Sequence, residues 1–142
     1  MTPEQVKAAI RHEFDELNKK NLAVIDDNYS PNIVVHHLVF GTEIRGLEAF
    51  KQEQRDVFTA FPDHHRMVDD IVVGGGKVAI RHTWSGTHEG KSGNIAPTGK
   101  RVTMTMFSFR RYEGGKVVEQ WNMTNRLSFY QQLGVTPTAD MK

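Results

Sequence analysis

No cysteine occurs among the 142 residues, which excludes disulfide bonds and thiolate chemistry. The 18 Lys and Arg residues are balanced by 17 Asp and Glu residues, and no basic block of the kind that binds nucleic-acid phosphates is present. No apolar run approaches the roughly 20 residues of a membrane helix, and the N-terminus lacks a secretory signal pattern. We therefore expect a single domain over residues 1–142, located in the cytoplasm, that binds neither nucleic acid nor a membrane.

Several catalytic signatures are also missing. The sequence contains no GxSxG nucleophile elbow, no GxGxxG dinucleotide fingerprint and no HExxH zinc motif. The pairs His36-His37 and His64-His65 are poor metal ligands, because adjacent strand residues point to opposite faces of a sheet. From these patterns we expect no metal ion and no cofactor.

What the chain does contain is a regular succession of helix and strand patterns. A capping box at Thr2 and Gln5 opens a first helix, whose apolar stripe runs to Leu17. Two further helices are predicted over residues 22–29 and 47–61, and a short one ends at Gly134. The predicted strands cover residues 33–39, 65–73, 77–88, 101–112 and 116–124. Helices segregated from hairpins indicate an α+β fold in which a curled sheet encloses a cavity.

Strand alternation selects the candidate pocket residues. His82 and Trp84 share one face of their strand with apolar neighbours. Trp121 and Met123 share a face of the last strand with Asn125 at its end, and this amide is predicted to point into the enclosed space. Such a lining suits an apolar small molecule that carries oxygen. The alternative for His82 is a core histidine whose ring nitrogens are hydrogen-bonded.

Five segments, in this order and spacing, resemble the SnoaL-like polyketide cyclases, which are also known as ester cyclases: AFPDHH at Ala60–His65, WSGTHEG at Trp84–Gly90, APTGKRV at Ala96–Val102, FRRYEGGKVVEQW at Phe109–Trp121 and QQLG at Gln131–Gly134. The resemblance implies a nuclear transport factor 2-like fold, a curved antiparallel sheet wrapped with about three helices and a short C-terminal helix around a conical pocket. It also implies a homodimer paired through the outer face of the sheet. Founding members close a ring by intramolecular aldol condensation, using an aspartate and no cofactor.

Residue by residue, the resemblance places the family's catalytic aspartate four positions after Trp121, where this chain has Asn125. An amide does not accept a proton near neutral pH, so that mechanism lacks its base here. The family's histidine on the preceding strand is absent as well, and Met106 or Phe107 lies at about that position. Tyr29 and His36 match a tyrosine and a histidine of the family.

The resulting hypothesis is a cofactor-independent cyclase or isomerase that acts on a small apolar carbonyl compound. His82 or His36 would be the base, and Asn125 would orient the carbonyl. The residues predicted to line the substrate pocket are Tyr29, Trp84, Met106, Phe107, Trp121 and Met123. The alternatives are a non-catalytic binding module with the same pocket and an assembly subunit. Which of His36 and His37 faces the pocket is left open.

Overall fold

A computed structural model describes residues 1–136. Within them the chain forms four helices and six strands in the order α1 (Pro3–Asn18), α2 (Ala23–Asn28), β1 (Tyr29–His37), β2 (Thr42–Arg45), α3 (Leu47–Ala60), β3 (His65–Gly74), β4 (Lys77–Thr87), β5 (Arg101–Glu113), β6 (Lys116–Thr124) and α4 (Arg126–Leu133). The strands form one sheet in the order β2-β1-β6-β5-β4-β3. The predicted α+β class is confirmed.

The sheet differs from the prediction in two respects. It is mixed rather than antiparallel, because β1 runs parallel to β6 while all other neighbours are antiparallel. In addition, β2 lies in a segment where the sequence predicts no strand. Its four residues pair with the end of β1 as a short edge strand, a length too small for a clear alternating pattern.

All four helices pack against one face of the sheet, which we call the helix-side face. At one end, α1 covers β3 and β4 through Val6, Ile10 and Phe14. Toward the opposite edge of the sheet, α2 and α3 cover β1, and between these two regions α4 packs on the central strand β5 and on Trp84. The opposite face, which we call the outer face, carries large apolar side chains in solvent, including Val72 (63% exposed) and Phe107 (55%).

A β-bulge in β6 reverses the faces of that strand. Consecutive residues of β5 pair with Val117 and Glu119, so Val118 has no partner in the ladder. One extra residue moves every following side chain to the opposite face. Val117 is therefore buried in the core, whereas Trp121 and Met123 lie on the outer face.

No helix within residues 1–136 combines the length and the apolar composition needed to cross a bilayer.

Candidate active site

Four predicted site residues lie together on the outer face, namely His36, Phe107, Trp121 and Met123. The ring of His36 stacks on Trp121 with centroids 5.2 Å apart, and its Nε2 atom lies 2.7 Å from the Glu119 carboxylate. The other three line an apolar groove. The prediction that these residues share an enclosed pocket with His82 is wrong, because the sheet separates them from it.

Asn125 does not point into the fold. Its side chain is exposed, and its Oδ1 atom accepts a hydrogen bond from the backbone N–H of Ser128 at 3.0 Å. This is the N-cap of α4, where a short polar side chain satisfies one of the unpaired N–H groups of the first turn. The prediction that the Asn125 amide points inward is wrong. The bulge at Val118 reverses the faces of β6, and the strand already ends at Thr124.

The prediction that His82 and Trp84 share one face of β4 is confirmed. His82 and Trp84 are buried on the helix-side face, whereas Arg81 is exposed on the outer face. Trp84 packs edge-on against Phe61 with ring centroids 4.7 Å apart, as part of the apolar core around α4. Met106, also predicted to line the pocket, is half-buried at the border of this core.

Tyr29 belongs to a buried charged cluster. Arg110 donates to Glu13 at 2.7 Å and to the Tyr29 hydroxyl at 2.7 Å, and that hydroxyl lies 2.8 Å from Glu13. Burial alone raises the pKa of Glu13, but Arg110 and the hydrogen bonds outweigh burial and lower it overall. Burial and the Glu13 carboxylate raise the pKa of Tyr29, so the phenol is neutral at physiological pH.

A chain of hydrogen bonds leads from His82 across three strands. His82 Nε2 lies 3.1 Å from Ser108 Oγ, and Ser108 Oγ donates to Asn122 Oδ1 at 2.9 Å. Gln120 Nε2 donates to the same oxygen at 2.9 Å, and Gln120 Oε1 lies 3.4 Å from the Tyr29 hydroxyl. The chain thus connects the imidazole to the charged cluster.

The directions of these hydrogen bonds determine which atoms carry the protons. The Asn122 oxygen only accepts, so Ser108 donates to it and His82 Nε2 carries the proton that Ser108 accepts. His82 Nδ1 is then unprotonated, and it is buried without a partner. Burial, together with the nearby charges of Arg66 and Arg110, lowers the pKa of His82 to about 3, so this imidazole is neutral at physiological pH.

Solvent reaches the helix-side face next to the series of hydrogen bonds that runs from His82 to Tyr29. Ser108 and Gln120 are buried, but the next helix-side residues along β5 and β6 are half-buried, as is the last residue of β1. We call these residues the open end: His37, Met106, Asn122 and Thr124. The Asn122 Nδ2 group has no hydrogen-bond partner within residues 1–136 and is not enclosed by protein. It is a hydrogen-bond donor available to a bound molecule.

Sequence reasoning missed Ser108 and Asn122, and it left open whether His36 or His37 faces the pocket; His37 is the one on the helix-side face. In β6 it assigned the apolar residues Trp121 and Met123 to the inside, although apolar side chains occupy both faces of this sheet. The alternating polar residues Gln120, Asn122 and Thr124 were the available signal for the helix-side face.

His88 and the loop after β4 have a structural role. The Thr98 backbone N–H donates to His88 Nδ1 at 3.2 Å, and the His88 ring stacks on Phe61. A side chain at Gly90 would come within 2.3 Å of the Thr59 carbonyl oxygen, so only glycine fits where the loop crosses the end of α3. Residues 1–136 contain no group of three His, Asp or Glu side chains arranged to hold a metal ion.

Comparison with known proteins agrees with the fold. The model of the SnoaL-like polyketide cyclase family matches residues 8–133. IdmH from Streptomyces antibioticus, a candidate polyketide cyclase, is 29% identical, with a TM-score of 0.79 over 92% of this chain and 99% of its own. AclR from Streptomyces galilaeus, a candidate hydroxylase, is 28% identical, with a TM-score of 0.83 over 96% of this chain and 89% of its own.

A protein with a ketosteroid isomerase-like fold from Catenulispora acidiphila shares the architecture at 14% identity, with a TM-score of 0.77 and 96% of each chain covered. No curated protein matches the chain. The family match spans both halves of the sheet and all the residues of the hydrogen-bonded chain. The chain belongs to the SnoaL-like polyketide cyclase family.

Proposed function

We propose that this protein catalyses a cofactor-independent proton-transfer reaction, a cyclisation or isomerisation, on a small apolar carbonyl compound bound at the open end. The observation that carries the proposal is the Asn122 amide, whose oxygen is engaged twice and whose Nδ2 group is free on the helix-side face. Family membership supports this reaction class. Because IdmH is a candidate cyclase and AclR a candidate hydroxylase, family membership alone does not select one reaction.

The Asn122 amide suits the charge that such a reaction creates. Removing a proton beside a carbonyl places negative charge on the carbonyl oxygen, and a preorganised N–H donor stabilises that charge. The two hydrogen bonds that Asn122 Oδ1 accepts polarise the amide and strengthen Nδ2 as a donor. Removing one donor of this kind typically costs about 10²–10³ in rate.

In this proposal His82 holds the donor in place and does not act as the base. An imidazole whose pKa is about 3 is a weak proton acceptor at neutral pH. Its Nε2 proton instead fixes the Ser108 hydroxyl, which in turn fixes the Asn122 oxygen. Asn125 and His36 have no part in the chemistry, because one caps α4 and the other lies on the outer face.

The test uses 1-tetralone, a bicyclic aromatic ketone, in D₂O. Exchange of its α-hydrogens for deuterium is followed by proton NMR with wild-type protein, Asn122→Ala and a control, Asn32→Ala, whose asparagine is exposed in β1. We expect wild-type protein to accelerate exchange and Asn122→Ala to lose about 10²–10³ of that acceleration. The control should equal the wild type. Equal rates for Asn122→Ala and wild type would remove Asn122 from the mechanism.

The second candidate function is a binding module that holds the same class of ligand without chemistry. The asparagine at position 125, where the family has its aspartate, favours it. Saturable binding of 1-tetralone without any exchange would support this function and contradict the enzyme. Exchange that appears only in Asn125→Asp would identify a cyclase that has lost its base.

We further propose that the protein forms a homodimer through the outer face. Exposed apolar side chains cluster there in a groove that includes Val72, Phe107 and Phe109. Charges of both signs, such as Arg81 and Asp70, line the same groove, so two copies can pair them reciprocally around a two-fold axis.

A further inference from the structure

We infer that His37, oriented by Glu53, is the proton acceptor that replaces the family's missing aspartate. The inference rests on the proposed function and deepens it by assigning the base. It places the acceptor at the open end, beside the Asn122 amide, on a different strand from the position that the resemblance indicates.

The contact between His37 and Glu53 fixes the ring. His37 ends β1, and Glu53 lies in the second turn of α3 above it. His37 Nε2 lies 2.7 Å from Glu53 Oε2, with the side chains 25% and 29% exposed. A carboxylate accepts hydrogen bonds, so Nε2 carries the proton that is donated to it, and Nδ1 keeps a free lone pair. A histidine held by a carboxylate in one tautomer has the arrangement of a general base.

The second nitrogen is open to a ligand. His37 Nδ1 has no hydrogen-bond partner within residues 1–136 and is not enclosed by protein. Glu53 stabilises positive charge on the ring, so a proton taken by Nδ1 is held by an ion pair over a short hydrogen bond.

His37 also lies next to Asn122 in the sheet. His37 of β1 and Asn122 of β6 are register partners, and their side chains are on the same face. Paired positions on neighbouring strands lie about 4.8 Å apart. A carbonyl compound seated across this pair places its oxygen at the Asn122 amide and an adjacent carbon at the imidazole.

The other histidines lack one or more of these properties. His36 lies on the outer face, His64 Nε2 bonds the Leu17 carbonyl, and His82 Nε2 bonds Ser108 in the core. His12 and His65 are exposed, and His88 is buried in the loop after β4.

The proposed step needs only the substrate and the protein, because every proton and electron pair that moves stays within them. His37 Nδ1 takes a proton from the carbon beside the carbonyl, and the C–H electron pair becomes the enolate, whose oxygen accepts from Asn122 Nδ2. In a cyclisation the enolate carbon forms a bond to a second carbonyl carbon of the same molecule. The alkoxide formed there receives a proton from the His37 imidazolium, so no oxidant or reductant is consumed.

The test again measures deuterium exchange into 1-tetralone, with variants His37→Ala, Glu53→Gln and Glu53→Asp. His12→Ala is the matched control, because that histidine is exposed on α1. We expect His37→Ala to lose about 10²–10⁴ in exchange rate, the usual contribution of a general base. Glu53→Gln should lose on the order of tenfold and change the pH dependence of the rate, and Glu53→Asp should restore part of it.

The outcomes separate this inference from the proposed function. If wild-type protein accelerates exchange and His37→Ala equals it, His37 is not the acceptor while the proposed function stands. If Glu53→Gln matches the wild type in rate and in pH profile, Glu53 does not orient the base. If wild-type protein does not accelerate exchange, the proposed function is wrong and this inference fails with it. Free imidazole that restores exchange to folded His37→Ala would confirm the acceptor role.

Discussion

At the scale of single residues, the buried neutral imidazole of His82 links the candidate site to the stability of the protein. The side chain is 5% exposed and is enclosed by α1 and the sheet, with the ring of Phe14 edge-on to it at 5.1 Å. Burial lowers its pKa to about 3 in the folded state, against an ordinary value of 6.5 in the unfolded chain. The unfolded state therefore binds a proton between these two values that the folded state does not bind.

This difference predicts a loss of stability in mild acid. As the pH falls below 6.5, the unfolded chain is favoured by about 1.4 kcal/mol per pH unit for this one group, until the pH approaches the folded pKa. We expect His82→Asn to reduce the slope of unfolding free energy against pH by about one proton between pH 6 and pH 5. His64, whose pKa burial lowers to about 4, retains a second contribution of this kind in the variant. Urea unfolding at the two pH values measures the slopes, and identical slopes would contradict the buried neutral ring.

At the scale of secondary-structure elements, the end of β6 shows how much was predictable. The strand, the helix after it and the Gly134 cap follow from alternation, helical spacing and a left-handed glycine. The bulge at Val118 does not follow, because it is set by pairing with β5 and β1. This one extra residue determines which side chains of β6 lie on the helix-side face.

The strand β4 shows the opposite case, in which alternation predicted the buried face correctly. Its ladder with β5 has no register shift, so the alternation of buried and exposed side chains follows the sequence without interruption. The identity of the polar partners of His82 could not be predicted, because Ser108 and Asn122 come from strands distant in sequence. Their meeting depends on the register of three strands.

The capping role of Asn125 in α4 can be tested by mutation. If it is the N-cap of α4, Asn125→Ala should cost about 1 kcal/mol of unfolding free energy, since the Ser128 N–H loses its acceptor. Asn125→Asp should keep the stability, because a carboxylate accepts the same hydrogen bond and favours the helix N-terminus. Urea unfolding of both variants checks this, with Asn32→Ala as the control. Stability unchanged in Asn125→Ala would contradict the capping role.

At the scale of the whole molecule, we assign different roles to the two faces of the sheet. The helix-side face carries the buried charged cluster and the open end, while the outer face carries the apolar groove. The predicted substrate-binding residues Phe107, Trp121 and Met123 belong to the groove. No helix of residues 1–136 covers them, and the homodimer that we propose would bury their apolar surface.

Self-association is the prediction that follows. We expect wild-type protein to sediment with twice the 16.2 kDa mass of one chain, and Phe107→Glu to shift it toward the monomer, because a carboxylate in place of the apolar ring loses its hydration when the groove is covered. Leu127→Glu is the control, since Leu127 is also exposed (58%) but lies on α4. A monomeric wild-type protein, or a Phe107→Glu protein as dimeric as wild type, would contradict pairing through the outer face.

The position of a bound carbonyl compound distinguishes binding at the open end from binding on the outer face. Proton–nitrogen NMR spectra of labelled protein titrated with 1-tetralone would follow the side-chain resonances of Asn122, His37, Asn125 and His36 together. We expect saturable shifts at Asn122 and His37, with Asn125 and His36 unchanged, because the ligand is proposed to bind on the helix-side face at the open end. Shifts confined to His36 and the outer face, or no saturable shift at Asn122, would contradict it.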